Sequence, residues 1–404
     1  MIDARNRPVR TSGAVGWLRE NLFGSVVNTL ISIVVIAVVA WAVYGLVNFA
    51  FFGAHWERVW ANMKLFAVYR YPFDLLWRPL SIVALIMGLL GMTAGVSSHA
   101  EGEIIRGVFW WVFSFVVIVN VAALFAWESV RLLWTLVTVA SLAGYGLGRA
   151  QPRLVSALPW LWGASLLVGY VLLRGFSSSG ELRIVPNREW GGFLLTLILS
   201  VVGIVVSFPL GIALALGRRS KLPAIKYFCI GFIEIVRGAP LIMWLFIASL
   251  MVPLIFNIDT SSVDALTKAL VAVTLFSAAY MAENVRGGLQ AVGKGQEEAA
   301  RALGLSGWQT MRKIVLPQAL RAVIPAIVGQ SIGLFKDTSL VFVVGLFDFF
   351  NVANVVANQP QSLQVPGGIR LELSLFLAVI YWFFAFRMSV ASRQLEKQLG
   401  VGTR

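Results

Sequence analysis

Apolar residues run along this chain in long stretches separated by short polar joints. The stretches fall at 25–51, 79–97, 107–126, 131–148, 157–174, 190–217, 226–252, 266–289, 321–346 and 371–391. Most approach the ~20 residues an α-helix needs to cross a bilayer, whereas barrel strands would alternate and run for about ten. The pattern predicts an all-α membrane protein of about ten transmembrane helices. The sixth stretch is the clearest, since no charge interrupts Trp190 to Gly217. The third to fifth are short and close together, and one of them is a candidate re-entrant segment. Four arginines (Arg5, Arg7, Arg10 and Arg19) precede the first stretch, which is too long for a cleaved leader and reads as an uncleaved anchor.

The polar run Ser177-Ser178-Ser179-Gly180 to Arg188 divides the chain into residues 1–185 and 186–404, each with about five of the predicted spans. No internal repeat relates the two parts. In the sixth stretch Gly203, Ser207, Gly211 and Ala215 form a small-xxx-small stripe that lets another helix approach closely. Pro209 lies within that stretch and is a candidate kink, with packing the first reading and a hinge the second.

Composition agrees with the pattern. Of 404 residues, 58% are apolar and 13% charged, and the mean hydropathy is +0.81. A net charge of +14 would suit a nucleic-acid binder, but basic residues also gather in cytoplasmic loops of membrane proteins, and that reading is preferred. Ten spans place both termini on one side, where Lys and Arg are more than twice as numerous as on the other, so that side is expected to be cytoplasmic. Arg218-Arg219-Ser220-Lys221 should face inward, and the acidic stretch Asn257 to Asp264 outward. The lone Cys229 reads as packing, and His55 and His99 are too far apart to suggest a metal site.

The joint at 293–317 differs from the rest. Glu297 to Leu303 is a strong short-helix sequence, with Ala299, Ala300 and Ala302 adding little bulk. Its leading acids, Glu297 and Glu298, suit a positive helix N-terminus, and Gly304 can take the left-handed conformation that ends it. Ser306 and Gln309 fit a capping box for a second helix, on which Trp308, Met311 and Val315 would share one face beside Arg312 and Lys313. Pro317 suits the first turn of the next span. Taken alone, the segment could be an amphipathic hairpin resting on the membrane surface.

From Glu298 the segment reads E-A-A, three residues, Gly304, nine residues, then Ile314-x-Leu316-Pro317. It resembles the cytoplasmic coupling loop of ATP-binding-cassette importer permeases. The runs Trp190-Gly191-Gly192 through Leu197, Glu234-Ile235-Val236-Arg237-Gly238-Ala239-Pro240-Leu241, Ala282 to Leu289 and Lys336-Asp337-Thr338-Ser339-Leu340 are similar to the polar amino acid branch of that family. Tyr69 to Arg78 (YRYPFDLLWR) is similar to the extension of the M-type permease of general L-amino-acid transporters. Ala239 departs from the Thr usual in the family, which leaves the role of that turn open.

The resemblance implies a type I importer core of five spans preceded by the extension, in a bacterial inner membrane. It implies a paralogous Q-type permease, two ATPase subunits that bind ATP and Mg, a periplasmic binding protein and L-amino acids as cargo, with no cofactor on this chain. It also implies ATPase coupling through Glu297, Glu298, Ala299, Ala300, Arg301, Leu303 and Gly304. No Gly-x-x-x-x-Gly-Lys-Ser/Thr loop is present, so this chain is not expected to hydrolyse ATP.

Six ionisable residues fall in or near the predicted spans: Glu234, Arg237, Glu283, Arg286, Lys336 and Asp337. Buried charge costs roughly 2.5–3.5 kcal/mol on insertion scales, so such groups face a bundle interior or a wet cavity. Glu234–Arg237 and Glu283–Arg286 are spaced to pair along one helix face. Glu283, Lys336 and Asp337, with Thr338 beside them, are candidates for the substrate path, and Glu234, Arg237, Pro240 and Arg286 for the inner mouth. The bland alternative is that these pairs only pin helices together. An ion-coupled secondary transporter would also carry buried charge and broken helices, and the first 185 residues could serve only as a membrane scaffold.

Overall fold

A computed structural model of the chain describes residues 14–98, 103–126, 130–257, 259, 263–398 and 400. The N-tail arginines up to residue 13, His99 and much of the acidic outward stretch lie outside them. Among the described residues the protein is helical, with two isolated bridges and no strands.

The extension begins with α1 (Ala14–Asn21) and α2 (Val26–Asn48), then two short helices, α3 (Trp56–Ala61) and α4 (Met63–Val68). Four longer ones follow: α5 (Trp77–Ser97), α6 (Glu103–Ala126), α7 (Arg131–Ala150) and α8 (Leu158–Arg174). The core comprises α9 (Gly192–Arg218), α10 (Pro223–Arg237), α11 (Leu241–Phe246), α12 (Val252–Ile255) and α13 (Ala265–Ala291). After these come α14 (Lys294–Ala302), α15 (Gly307–Thr310), α16 (Leu316–Asp337), α17 (Phe349–Ala357), α18 (Pro360–Leu363) and α19 (Arg370–Gln398).

Every apolar stretch read from the sequence coincides with helix. Among the described residues six helices are long and apolar enough to cross a membrane. The pair Pro223–Arg237 and Leu241–Ile255 is long and apolar enough together but is bent by 107° at the break between them. The expected continuous span 226–252 is therefore two half-helices, and the interruption lies there rather than in the third to fifth stretches. Pro240 has no N–H to continue the ladder and restricts the residue before it. The carbonyl of Val236, freed by the break, accepts the indole N–H of Trp244 at 3.0 Å. Pro209, by contrast, is accommodated within a continuous α9.

Packing follows small residues. The stripe Gly203, Ser207, Gly211 and Ala215 is buried. A Cβ at Gly211 would lie 2.5 Å from that of Met281, on α13. The extension has a tighter seam between α5 and α7, where a Cβ at Gly144 would lie 2.0 Å from the Gly88 carbonyl oxygen. At Gly148 it would meet the Met92 carbonyl oxygen at 2.2 Å. Only glycine lets these backbones touch. α2 is the exception to the packing: none of its most apolar stretch is buried.

The run Tyr69–Arg78 is fixed within the extension on one side and, through Tyr69 and the neighbouring Phe66 and Asn62, meets the core on the other. Arg78 is fully buried and donates to the carbonyl oxygens of Glu181 and Arg183 at 3.0 Å. Arg183 grips Asp74 with two bonds of 2.7 and 3.0 Å, and the Tyr71 hydroxyl donates to the Leu173 carbonyl at 2.8 Å. On the other side Tyr69 stacks on Phe347 at 5.1 Å, while Phe66 meets Phe349 and Phe376 edge-on at 5.8 and 5.1 Å. The Asn62 side chain accepts from Gln359 at 2.9 Å. The extension is thus joined to α17 and α19 of the core.

Candidate coupling and translocation site

The coupling segment folds as a short helix in its own right. α14 starts after Gly293, three residues before the expected Glu297, and ends one short of the expected Leu303. Gly304 has φ +74, and the Leu305 N–H reaches back to the Ala300 carbonyl at 3.1 Å, a left-handed stop. Ser306 and Gln309 form the reciprocal capping box expected of them. The expected shared face of Trp308, Met311 and Val315 is not formed. Residues 311–315 make a wider π-type turn that shifts the register, so Val315 is buried while Trp308 is 66% exposed.

One side of α14 meets its own chain: Ala300 is buried, and Glu297 lies 3.4 Å from Arg219 and 3.8 Å from Arg301. Glu298, Ala299, Arg301 and Gly304 are exposed, as is Leu303 at 80%. Two large apolar side chains, Leu303 and Trp308, therefore face outward from a charged loop. Beside them a cavity of about 690 Å³ is lined by Arg218, Arg219, Arg286, Lys294, Glu297, Glu298 and Arg301, among others.

Above this cavity the charges of three helices converge. Glu283 on α13 bonds Arg286, whose Nε lies 2.9 Å from its Oε1. It also lies 3.6 Å from Arg237 and 3.7 Å from Arg218. Glu234 pairs with Arg218 at 3.0 Å. The Glu283–Arg286 pairing expected along one helix face is present. The Glu234–Arg237 pairing is replaced by bonds between helices, because the turn at 219–222 folds α10 back beside α9 and brings Arg218 to Glu234. Pro240 is exposed at the start of the second half-helix.

The substrate-path candidates separate into two places. Lys336 is exposed and Asp337 half-buried at the far end of α16. Gln330 bonds Ser277 and Asn284, and Lys336 lies six residues beyond Gln330, towards the opposite end of α16 from the coupling loop. Glu283 instead bonds Arg286 and lies near Arg237 and Arg218. Glu283 therefore belongs with the inner charges and not with Lys336 and Asp337. Thr338 is fully buried and donates to the Phe335 carbonyl at 3.0 Å, so in this chain it lines no open path.

Between the two charged levels lies a polar chain not anticipated from the sequence. Asn284 donates to Gln330 at 2.7 Å, Gln330 to the Ser277 hydroxyl at 2.9 Å, and Ser277 to Ser207 at 3.1 Å. The uncharged amides on α13 and α16 were its only signal. A second cluster holds the outer end. Asp348 is fully buried and accepts from the Asn351 N–H at 3.0 Å and the Tyr381 hydroxyl at 3.4 Å. Burial pushes its carboxyl above the usual range, against the pull of the Asn351 bonds.

Residues 207–401 match the family described as binding-protein-dependent transport system inner membrane component. The chain is 37% identical to the Escherichia coli (strain K12) inner membrane amino-acid ABC transporter permease protein YhdY, over 97% of this chain and 95% of that one. It is 36% identical to BztC of Rhodobacter capsulatus, a glutamate/glutamine/aspartate/asparagine transport system permease, over 99% and 96%. The Escherichia coli O6:H1 glutamate/aspartate import permease GltK is 34% identical over 96% of its own length, but spans only 53% of this chain. Similarity over the whole chain therefore includes the extension, which the shorter relative has no length to match.

Proposed function

The chain belongs to the binding-protein-dependent transport-system inner-membrane components, as an amino-acid ATP-binding-cassette permease, and from that premise we propose that it forms, with a paralogous Q-type permease, the translocation path for L-amino acids. It is a multi-pass inner-membrane transport subunit, and the ATPase is a separate subunit. None of the relatives named above is an ion-coupled carrier, and that alternative is set aside. The partners we propose beyond the second permease are two ATPase subunits and a periplasmic binding protein, with both termini of this chain in the cytoplasm.

The observation that carries this reading is α14. Leu303 at its end and Trp308 on the following α15 are exposed, and α14 connects to α13 on one side and, through α15, to α16 on the other. A loaded binding protein docks outside, and nucleotide closes the two ATPases, which displaces α14. Because the interior of the bundle is close-packed, that displacement is transmitted to the helices bearing Glu283 and Gln330 rather than absorbed. The zwitterionic cargo passes from Lys336 and Asp337, past the amide chain, to the ring of Glu234, Arg237, Glu283 and Arg286.

In membrane vesicles with the assembled transporter, Glu298→Lys and Gly304→Asp are expected to abolish ATP-driven uptake while the chain remains in the membrane. At Gly304 the cause is conformational, since no atom lies within 4 Å of a Cβ there, and a left-handed non-glycine residue costs about 1–2 kcal/mol. Full uptake by either variant would remove the coupling role. Lys336→Met and Asp337→Asn are expected to reduce uptake at low substrate concentration, and wild-type uptake in both would take these residues off the path.

A further inference from the structure

Four helix ends surround the inner mouth, but the coupling loop is continuous with only two of them. α13 runs into α14, and α16 follows it through α15 and the π-type turn. α9 and α10 have no chain connection to the loop. They are joined to each other by the short turn at 219–222, and consecutive arginines at the end of α9 and the start of that turn have different partners. Arg218 bonds the gate charges, at 3.0 Å to Glu234 and 3.7 Å to Glu283. Its neighbour Arg219 bonds the coupling helix, at 3.4 Å to Glu297.

We infer that Arg219 and Glu297 are positioning residues that tie the α9–α10 turn to the coupling helix, so that all four helix ends of the inner mouth move as one unit. This rests on the coupling reading of α14. The backbone N–H of Arg219 closes the end of α9 on the Leu216 carbonyl at 3.0 Å, so a pull on its side chain acts on the helix end directly. Cations also suit a helix C-terminus, where Arg218 and Arg219 lie. Glu297 is the acid preceding E-A-A. It faces inward to this chain, whereas Glu298 is exposed and has no ion pair within 4 Å among the described residues.

The test is a charge-swap cycle on the complete transporter in proteoliposomes, reading amino acid transported per ATP hydrolysed. Arg219→Gln is expected to keep binding-protein-stimulated hydrolysis within about twofold of wild type while uptake falls about tenfold, and Glu297→Gln is expected to lower uptake by a similar factor. Arg219→Lys keeps the cation and should transport normally. The swap of Arg219→Glu with Glu297→Arg should restore the transport ratio to within about threefold, which a purely structural defect would not do. A wild-type ratio in the single variants, or a swap that assembles and is no better than they are, overturns the inference. Should the single variants fail to assemble, the lysine and swap variants decide it. Glu298→Lys in the same complex is the control. If it transports normally, the coupling reading itself fails and takes this inference with it.

Discussion

Within the extension, individual glycines set how closely α5 and α7 approach. On α7, Gly146 and Gly148 lie two residues apart, on opposite faces, with opposite surroundings. Gly148 faces the Met92 carbonyl oxygen at a distance no Cβ could occupy, whereas Gly146 has nothing within 4 Å. Gly148→Ala is therefore expected to destabilise the protein by about 1–3 kcal/mol through forced separation of α5 and α7. Gly146→Ala should be neutral or slightly stabilising. Thermal unfolding in detergent measures both, and equal effects would refute the seam. The spacing of Gly91 and Gly95, and of Gly144 and Gly148, was visible in the sequence, but not that the two pairs meet. The same limit hid the partner of Glu234. Spacing rules describe one helix face, and Arg218 reaches that face only because the chain turns back at residues 219–222.

Among whole elements, the break between α10 and α11 was the least legible. Long apolar runs flank it closely on both sides, so averaged hydropathy did not mark it, and only Glu234, Arg237, Gly238 and Pro240 hinted at a stop. The bent form depends on re-pairing the freed carbonyl of Val236 with Trp244. Trp244→Phe removes that donor but keeps the aromatic bulk. It is expected to cost about 1–3 kcal/mol for a buried acceptor left unmet and to raise amide exchange at residues 236–241. Unchanged exchange would mean the bend is held by packing alone. The coupling helix, in contrast, was readable nearly to its ends. Its signals are local: propensity, a glycine stop and a capping box lie within a dozen residues, and no tertiary contact overrides them until the π-type turn at 311–315.

For the molecule as a whole, the polar run near residue 180 marked a change of composition but not a separation. Tyr71, Asp74 and Arg78 bind the segment 173–183, while Phe66 and Tyr69 cover Phe349 and Phe347. A chain lacking residues 1–175 would expose those aromatic faces. It is expected to reach the membrane at lower abundance and to melt lower, with burial worth about 25 cal/mol per Å² lost at each face. Normal melting of the truncated chain, with transport alone lost, would instead assign the extension a purely functional part.

The unpacked state of α2 has a mechanical outcome. Residues 26–53 form an apolar rod of 28 residues, about 42 Å long at 1.5 Å per residue, in a hydrocarbon layer about 30 Å thick. Among the described residues nothing buries its most apolar stretch, so the mismatch is met by leaning, with a slope set by the thickness of the lipid. Thinner bilayers would lay this rod flatter and carry its amino-terminal end sideways, while the rest of the molecule stayed upright.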